Sequence, residues 1–205
     1  MTCIIPPMGK KKLVVGLTGN IASGKSSVGS VLSAHGFHVI EADRIGWELL
    51  ANPDVKKRIV SSFKNVQTDE EIDRKKLGDI VFSNGANLKI LNGIIHLPLL
   101  KELKHRIRKS DEAITIVNAA LIFEWRIEDW FDRIILVICD EEKKIERLEK
   151  KGLTQEQALH RINSQIPESE KVQKSDFVIE NNGTLQELRA KTHEIIDQIK
   201  KISRN

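Results

Sequence analysis

The run Gly19-Asn20-Ile21-Ala22-Ser23-Gly24-Lys25-Ser26 is a complete G-x-x-x-x-G-K-S phosphate loop, and it directly follows the apolar stretch Leu13-Val14-Val15-Gly16-Leu17. The motif demands a buried strand before it and a helix after it, so it restricts the fold more than any other feature of the chain. Its glycines let the backbone wrap an anion at a distance that a Cβ would forbid. Amides from Gly19 to Ser27 are then expected to face phosphate, with a helix N-terminus behind them. Lys25 is the cation that bridges β- and γ-phosphates, and the Ser26 hydroxyl is the protein ligand for a Mg²⁺ that keeps several waters. Val28, Val31 and Leu32 give the helix its apolar stripe, and Gly36 supplies a stop. The motif does not decide whether the γ-phosphate goes to water or to an acceptor.

Apolar runs alternate with amphipathic segments along the whole chain, the pattern of a parallel sheet covered by helices. Strands are predicted at Lys12–Thr18, His38–Ala42, Ala113–Ala119, Arg133–Cys139 and Asp176–Glu180. The fold class is therefore α/β, a P-loop NTPase-type three-layer α/β/α arrangement with a five-stranded parallel sheet. The long gap between the second and third strands reads as all-helical. Asp73 caps a helix bearing Leu77, Ile80 and Val81, Ser83-Asn84-Gly85 breaks it, and Pro98 restarts a helix at its first turn. Residues 1–10 are expected to form a loose tail before a single domain, 11–205. Its core is 11–43, 112–145 and 175–205, its helical acceptor region 44–111 and its lid 146–174.

Thr154-Gln-Glu-Gln157 opens one late helix with a capping box, and Thr184-Leu-Gln-Glu187 opens the C-terminal one. Between Arg147 and Arg161 the cations are either a lid closing over phosphates or a solvated helix face. Asp140 ends an apolar strand as a Mg²⁺-ligating acid would, but as the first of Asp140-Glu-Glu142 it reads better as a helix cap. Trp47, Trp125 and Trp130 are read as packing residues.

Lysines and arginines (33) are interspersed with acids (29), so no basic arm points to nucleic acid. No apolar stretch approaches a membrane span. Two cysteines, Cys3 and Cys139, cannot build a disulfide framework, and the chain reads as cytoplasmic. No membrane partner is expected, and a monomer is favoured.

Read in order, Gly16-Leu17-Thr18-Gly19 with the phosphate loop, Glu41-Ala42-Asp43, Ile72-Asp73-Arg74 with Leu77, Val81-Phe82, His96, Leu121-Ile122-Phe123-Glu124, Gln165, Ser175-Asp176 and Asn181 with Gly183 resemble the dephospho-coenzyme A kinase family. The resemblance covers nearly the whole chain. It implies transfer of the ATP γ-phosphate to the ribose 3′-hydroxyl of dephospho-CoA, with Mg²⁺, on a nucleoside-monophosphate-kinase-like fold with a mobile lid. Three positions depart from the family pattern: Glu41 replaces an acid of Asp-Ala-Asp, Leu97 separates His96 from Pro98, and Ala120 stands where a proline is usual.

Asp43, at the carboxyl end of a predicted strand, is positioned to take the proton of an attacking hydroxyl, and the resemblance supports that role over a helix cap. Arg161, and second to it Arg147, are the lid cations expected to balance phosphate charge. Either could equally make a surface salt bridge. The resemblance assigns Arg74, His96 and Glu124 to the acceptor site and Asn181 to the adenine edge. Two alternatives stay open: another small-molecule or nucleotide kinase of this fold, and a phosphate-loop ATPase acting on a macromolecular partner.

Overall fold

The structure, a computed structural model, describes residues 12–82 and 84–204. The expected tail, Cys3 and Ser83 lie outside the described residues. The chain divides into two compact units, one made of the residues up to Ile40 with those from Ser110 onward, the other of Glu41–Lys109.

The first unit is built on a parallel sheet. Its strand β1, Leu13–Gly19, leads through the phosphate loop into helix α1, Lys25–Ala34, and then β2, His38–Glu41. A two-residue hairpin of the second unit, β3 (Gln67–Thr68) and β4 (Glu71–Ile72), comes next in the chain. The sheet resumes with β5 (Ile114–Asn118), β6 (Arg133–Ile138) and β7 (Phe177–Glu180). The strand order is β2-β5-β1-β6-β7. Every sheet strand lies within one residue of its predicted bounds. β1 is central, pairing Leu17 with Asn118 on one side and with Ile135 on the other. Because a central parallel strand is covered on both faces, it reads as a continuous apolar run. Its carboxyl end, where the chain reverses direction across the sheet, is where such folds bind ligands.

The Glu41–Lys109 unit holds α2 (Ala42–Glu48), α3 (Pro53–Ser62), α4 (Arg74–Phe82) and α5 (Gly85–Lys109) around a core of Leu50, Val55, Ile59, Phe63, Ile72, Leu77 and Ile94. The cap on α4 is as expected, with Asp73 Oδ1 accepting from the N–H groups of Lys75 and Lys76 at 3.0 and 3.1 Å. Two expectations are corrected. The region is not all-helical: the β3–β4 turn uses Asp69 and Glu70, both at positive φ (49° and 64°), which suits a tight hairpin without the Gly or Asn that would announce one. Nor does Pro98 start a helix; it lies inside the continuous α5. Proline there costs the bond to the Ile94 carbonyl and crowds it. The Arg58 guanidinium compensates, donating to the carbonyls of Ile94 and Gly93 at 3.4 Å each.

On the sheet, α1 packs with the C-terminal helix of the chain. The helices before that one are α6 (Glu141–Glu149), α7 (Gln155–Asn163) and α8 (Glu168–Val172), and the C-terminal helix itself is α9 (Leu185–Ile202). Both predicted capping boxes form, at Thr154/Gln157 and Thr184/Glu187. Asp140 does sit at the N-cap of α6, but its carboxylate makes no cap bond. It accepts instead from Asn182 Nδ2 at 2.7 Å, while its own N–H donates to Asn182 Oδ1 at 2.8 Å, a reciprocal pair that ties β6 to the end of β7.

Candidate active site

The phosphate loop takes its shape from two backbone positions. Gly24, the N-cap of α1, has φ 101°, and a Cβ there would lie 2.0 Å from Asn181 Nδ2. At Gly19 a Cβ would meet the Val137 carbonyl at 2.5 Å. Ala22 also holds a left-handed φ of 60°, strain that an alanine keeps only when its surroundings enforce it. Ile21 and Ala22 pack on Leu148, Ala158 and Ile162 of α6 and α7, which supplies part of that enforcement.

Hydrogen bonds supply the rest, from two sides. Arg147 of α6 donates through Nη1 to the carbonyls of Ala22 (2.9 Å) and Ser23 (3.3 Å) and through Nη2 to that of Asn181 (3.1 Å). Asn181 is itself buried and donates to the Ser23 carbonyl at 2.7 Å. With that carbonyl held, a planar trans peptide turns the Gly24 N–H to the opposite side, toward an anion. On the other flank, the Asn20 amide donates to the Ile166 carbonyl at 3.3 Å and the Ile21 N–H to Gln165 Oε1 at 2.7 Å. Lys171 of α8, fully buried, donates to Asn20 Oδ1 at 2.5 Å and to Glu124 Oε1 at 2.7 Å. Glu124 also accepts from the Ile166 N–H at 3.2 Å. Glu124 is thus tied, through Lys171, to the phosphate loop. The Ser23 N–H closes on the Asn20 carbonyl at 3.1 Å, so it and the Ile21 amide are engaged within the protein.

Lys25 points back along the sheet and donates to Asn118 Oδ1 at 2.5 Å. Asn118 is buried at the end of β5, where it orients the lysine. Ser26 is exposed in the first turn of α1 and Ser27 is half-buried beside it. Arg161 lies partly buried in the last turn of α7. Below Arg147, burial pushes the Cys139 thiol up, against the pull of the Arg147 and Lys144 charges.

The remaining assigned residues belong to the helical unit. Asp43 is exposed in the first turn of α2, two residues past the end of β2. His96 is half-buried in α5. Arg74, the first residue of α4, lies over the Trp47 ring with Cζ 5.3 Å from its centroid. Trp47, expected to be a packing residue, is 44% exposed and its observed packing partner is Arg74.

Sequence reasoning missed Asn118 and Lys171. Asn118 had a signal, as the polar residue closing an apolar strand at the ligand end of the sheet. Lys171 had none, because the run Glu168-Ser-Glu-Lys-Val-Gln-Lys174 looks like any solvated helix face.

A phosphate loop at the carboxyl end of the central strand of this sheet defines a phosphate-loop nucleotide-binding enzyme of the α/β class. Residues 13–187 match the family model described as dephospho-CoA kinase. A dephospho-CoA kinase of Fusobacterium nucleatum is 38% identical over 190 residues, spanning 91% of this chain and 98% of its own. Among solved structures, a dephospho-CoA kinase from Campylobacter jejuni superposes with a TM-score of 0.71 at 30% identity, covering 93% of this chain and 98% of its own. The protein TT1252 from Thermus thermophilus does so with 0.74 at 27% identity, over 92% and 98%. The chain belongs to the dephospho-CoA kinase family, whose members are ATP-dependent kinases acting at the last step of CoA synthesis.

Proposed function

We propose that this chain transfers the γ-phosphate of ATP to the ribose 3′-hydroxyl of dephospho-CoA, giving CoA and ADP. The observation that carries the reading is an intact, doubly braced phosphate loop in a chain that matches the family over residues 13–187. The loop of residues 19–27 binds the nucleotide phosphates through its amides other than those of Ile21, Ser23 and Ser27, which are engaged within the protein, and Lys25, aimed by Asn118, holds the charge that builds on the transferred group. Arg161 adds positive charge from α7. Arg147 and Asn181 act on the nucleotide from beneath the loop, their side chains engaged by loop carbonyls, so any contact with the adenine edge falls to the backbone of 181–183.

The donor set suits Mg²⁺. Ser26 offers one exposed oxygen, and among the described residues no group of three His, Cys, Asp or Glu competes as an all-protein cage. When bound, such an ion would be held by Ser26 and would shield the phosphate oxygens. Asp43 accepts the proton from the 3′-hydroxyl as it attacks, Arg74 and His96 bind the acceptor, and Glu124 orders the segment that carries the phosphate loop. Residues 146–174, expected as a lid, are held against the phosphate loop through Arg147, Gln165 and Lys171, and from there they exclude water as a rival acceptor. Among the described residues no helix is long and apolar enough to cross a membrane, and we assign the enzyme to the cytoplasm, as a monomer without nucleic-acid partners.

The test is ADP release with ATP and Mg²⁺, comparing dephospho-CoA with adenosine, AMP, CMP and no acceptor, and product mass by spectrometry. Turnover only with dephospho-CoA is expected, and Asp43→Asn should lower kcat at least about a hundredfold with little change in KM for ATP. Rapid turnover with another acceptor would place the chain among other small-molecule kinases. ADP release indifferent to acceptor would point to a macromolecular partner.

A further inference from the structure

We propose that Trp47 and Arg74 form a stacking platform for the purine base of the acceptor, an inference that rests on dephospho-CoA being that acceptor. Trp47 does not hold its helix in place. The buried side of α2 is supplied by Ala42 and Ile45, and its C-terminal turn is pinned to α5 by Glu48, which accepts from Arg106 at 2.6 Å. Trp47 is not among the buried residues of α2 and leaves 44% of its surface exposed, so part of its ring is accessible to a ligand.

Three side chains give that surface its chemistry. Arg74 lies 5.3 Å from the Trp47 centroid, within cation–π range, and stacked guanidinium and indole groups are what a purine face stacks on. Asp43 precedes Trp47 by four residues on α2, so the two are neighbours on one helix face, about 5–6 Å apart at Cβ. The carboxylate assigned to the ribose hydroxyl therefore lies one helical turn from the ring assigned to the base, and base and hydroxyl are carried by the same sugar.

The platform is also rigidly mounted. α4 begins at Arg74 because Asp73 caps it, and the β3–β4 hairpin anchors the approach through the Asp73 N–H, which donates to the Val66 carbonyl at 2.8 Å. Among the described residues Arg74 donates no side-chain hydrogen bond, which leaves its N–H fork for the acceptor's 5′-phosphates.

Steady-state kinetics of wild type, Trp47→Ala and Trp47→Phe test this, with 4′-phosphopantetheine, the part of the acceptor that lacks the base, as a competing inhibitor. Trp47→Ala should raise KM for dephospho-CoA about tenfold or more. KM for ATP and inhibition by 4′-phosphopantetheine should stay within about twofold of wild type, and Trp47→Phe should restore most of the loss. An unchanged KM for dephospho-CoA, an equal rise in KM for ATP, or parallel loss of 4′-phosphopantetheine inhibition would overturn the platform. If Trp47→Ala does not fold, Trp47→Leu, which keeps bulk but removes the aromatic face, replaces it with the same readouts. Failure of the wild type to phosphorylate dephospho-CoA would instead refute the acceptor assignment itself, a result read before any variant is compared.

Discussion

Lys171 ties the phosphate loop to the rest of its unit, and replacing it with methionine measures how strongly. Methionine keeps most of the buried stem but removes the ammonium that joins Asn20 Oδ1 and Glu124 Oε1. The carboxylate left behind is 18% exposed and its second oxygen already has no partner among the described residues, so it loses its counter-charge in a largely dry site. Breaking a buried pair from one side costs about 3–5 kcal/mol. Partial access of water to Glu124 puts Lys171→Met at the lower end, about 3 kcal/mol. For a chain of this size each kcal/mol moves Tm by about 2–4 °C, so the melting point should fall by about 6–12 °C.

Urea unfolding followed by circular dichroism is the direct assay, with the midpoint shifted and the slope unchanged. The double variant Lys171→Met, Glu124→Gln isolates the electrostatic part. Glutamine keeps an acceptor for the Ile166 N–H and has no charge to strand, so the double variant should be at least about 1 kcal/mol more stable than the sum of the single losses predicts. Because Asn20 belongs to the loop, a fixed ATP concentration should also raise the Tm of Lys171→Met less than that of wild type. A single variant within about 0.5 kcal/mol of wild type, or strictly additive losses, would refute the idea that this pair braces the loop.

Two further outcomes follow from local geometry. Arg58→Ala should cost about 0.5–1 kcal/mol in wild type but less in a Pro98→Ala background, where an ordinary helical N–H can fill the Ile94 carbonyl; equal costs in a urea double-mutant cycle would contradict that account. Glu187 is held below the usual carboxylate range by the Thr184 backbone and side-chain bonds. Its contribution is therefore complete above the unfolded-state value of about 4.3 and is lost as pH falls through the lower folded-state value. Glu187→Ala should accordingly melt below wild type at pH 7, with the gap closing only below about pH 4; a gap that instead closes near neutrality would show the capping box is not its source.

What could be read from the chain, and what could not, divides by distance along the sequence. The five sheet strands were legible to within a residue because β1 and β6 are apolar on both faces, a pattern local to six or seven residues. The caps at Asp73, Thr154 and Thr184 span three residues each and were legible for the same reason. Where a local rule was broken and repaired from afar, the reading failed. Pro98 stays helical because Arg58, 36 positions from Ile94, meets the freed carbonyl. Asp140 gives up its cap for Asn182, 42 positions on. The site shows the division most sharply. The groups that would touch phosphate lie in one contiguous motif, whereas those that shape it, Asn118, Arg147, Lys171 and Asn181, reach Lys25, Ala22, Asn20 and Ser23 across 93, 125, 151 and 158 positions. A charged residue such as Lys171 has no local pattern to reveal its partner, since an unpaired lysine would favour water and only the folded chain brings Asn20 and Glu124 to it. Bracing residues of this kind therefore emerge from the fold rather than from the motif, and their removal should be felt first in the shape of the loop.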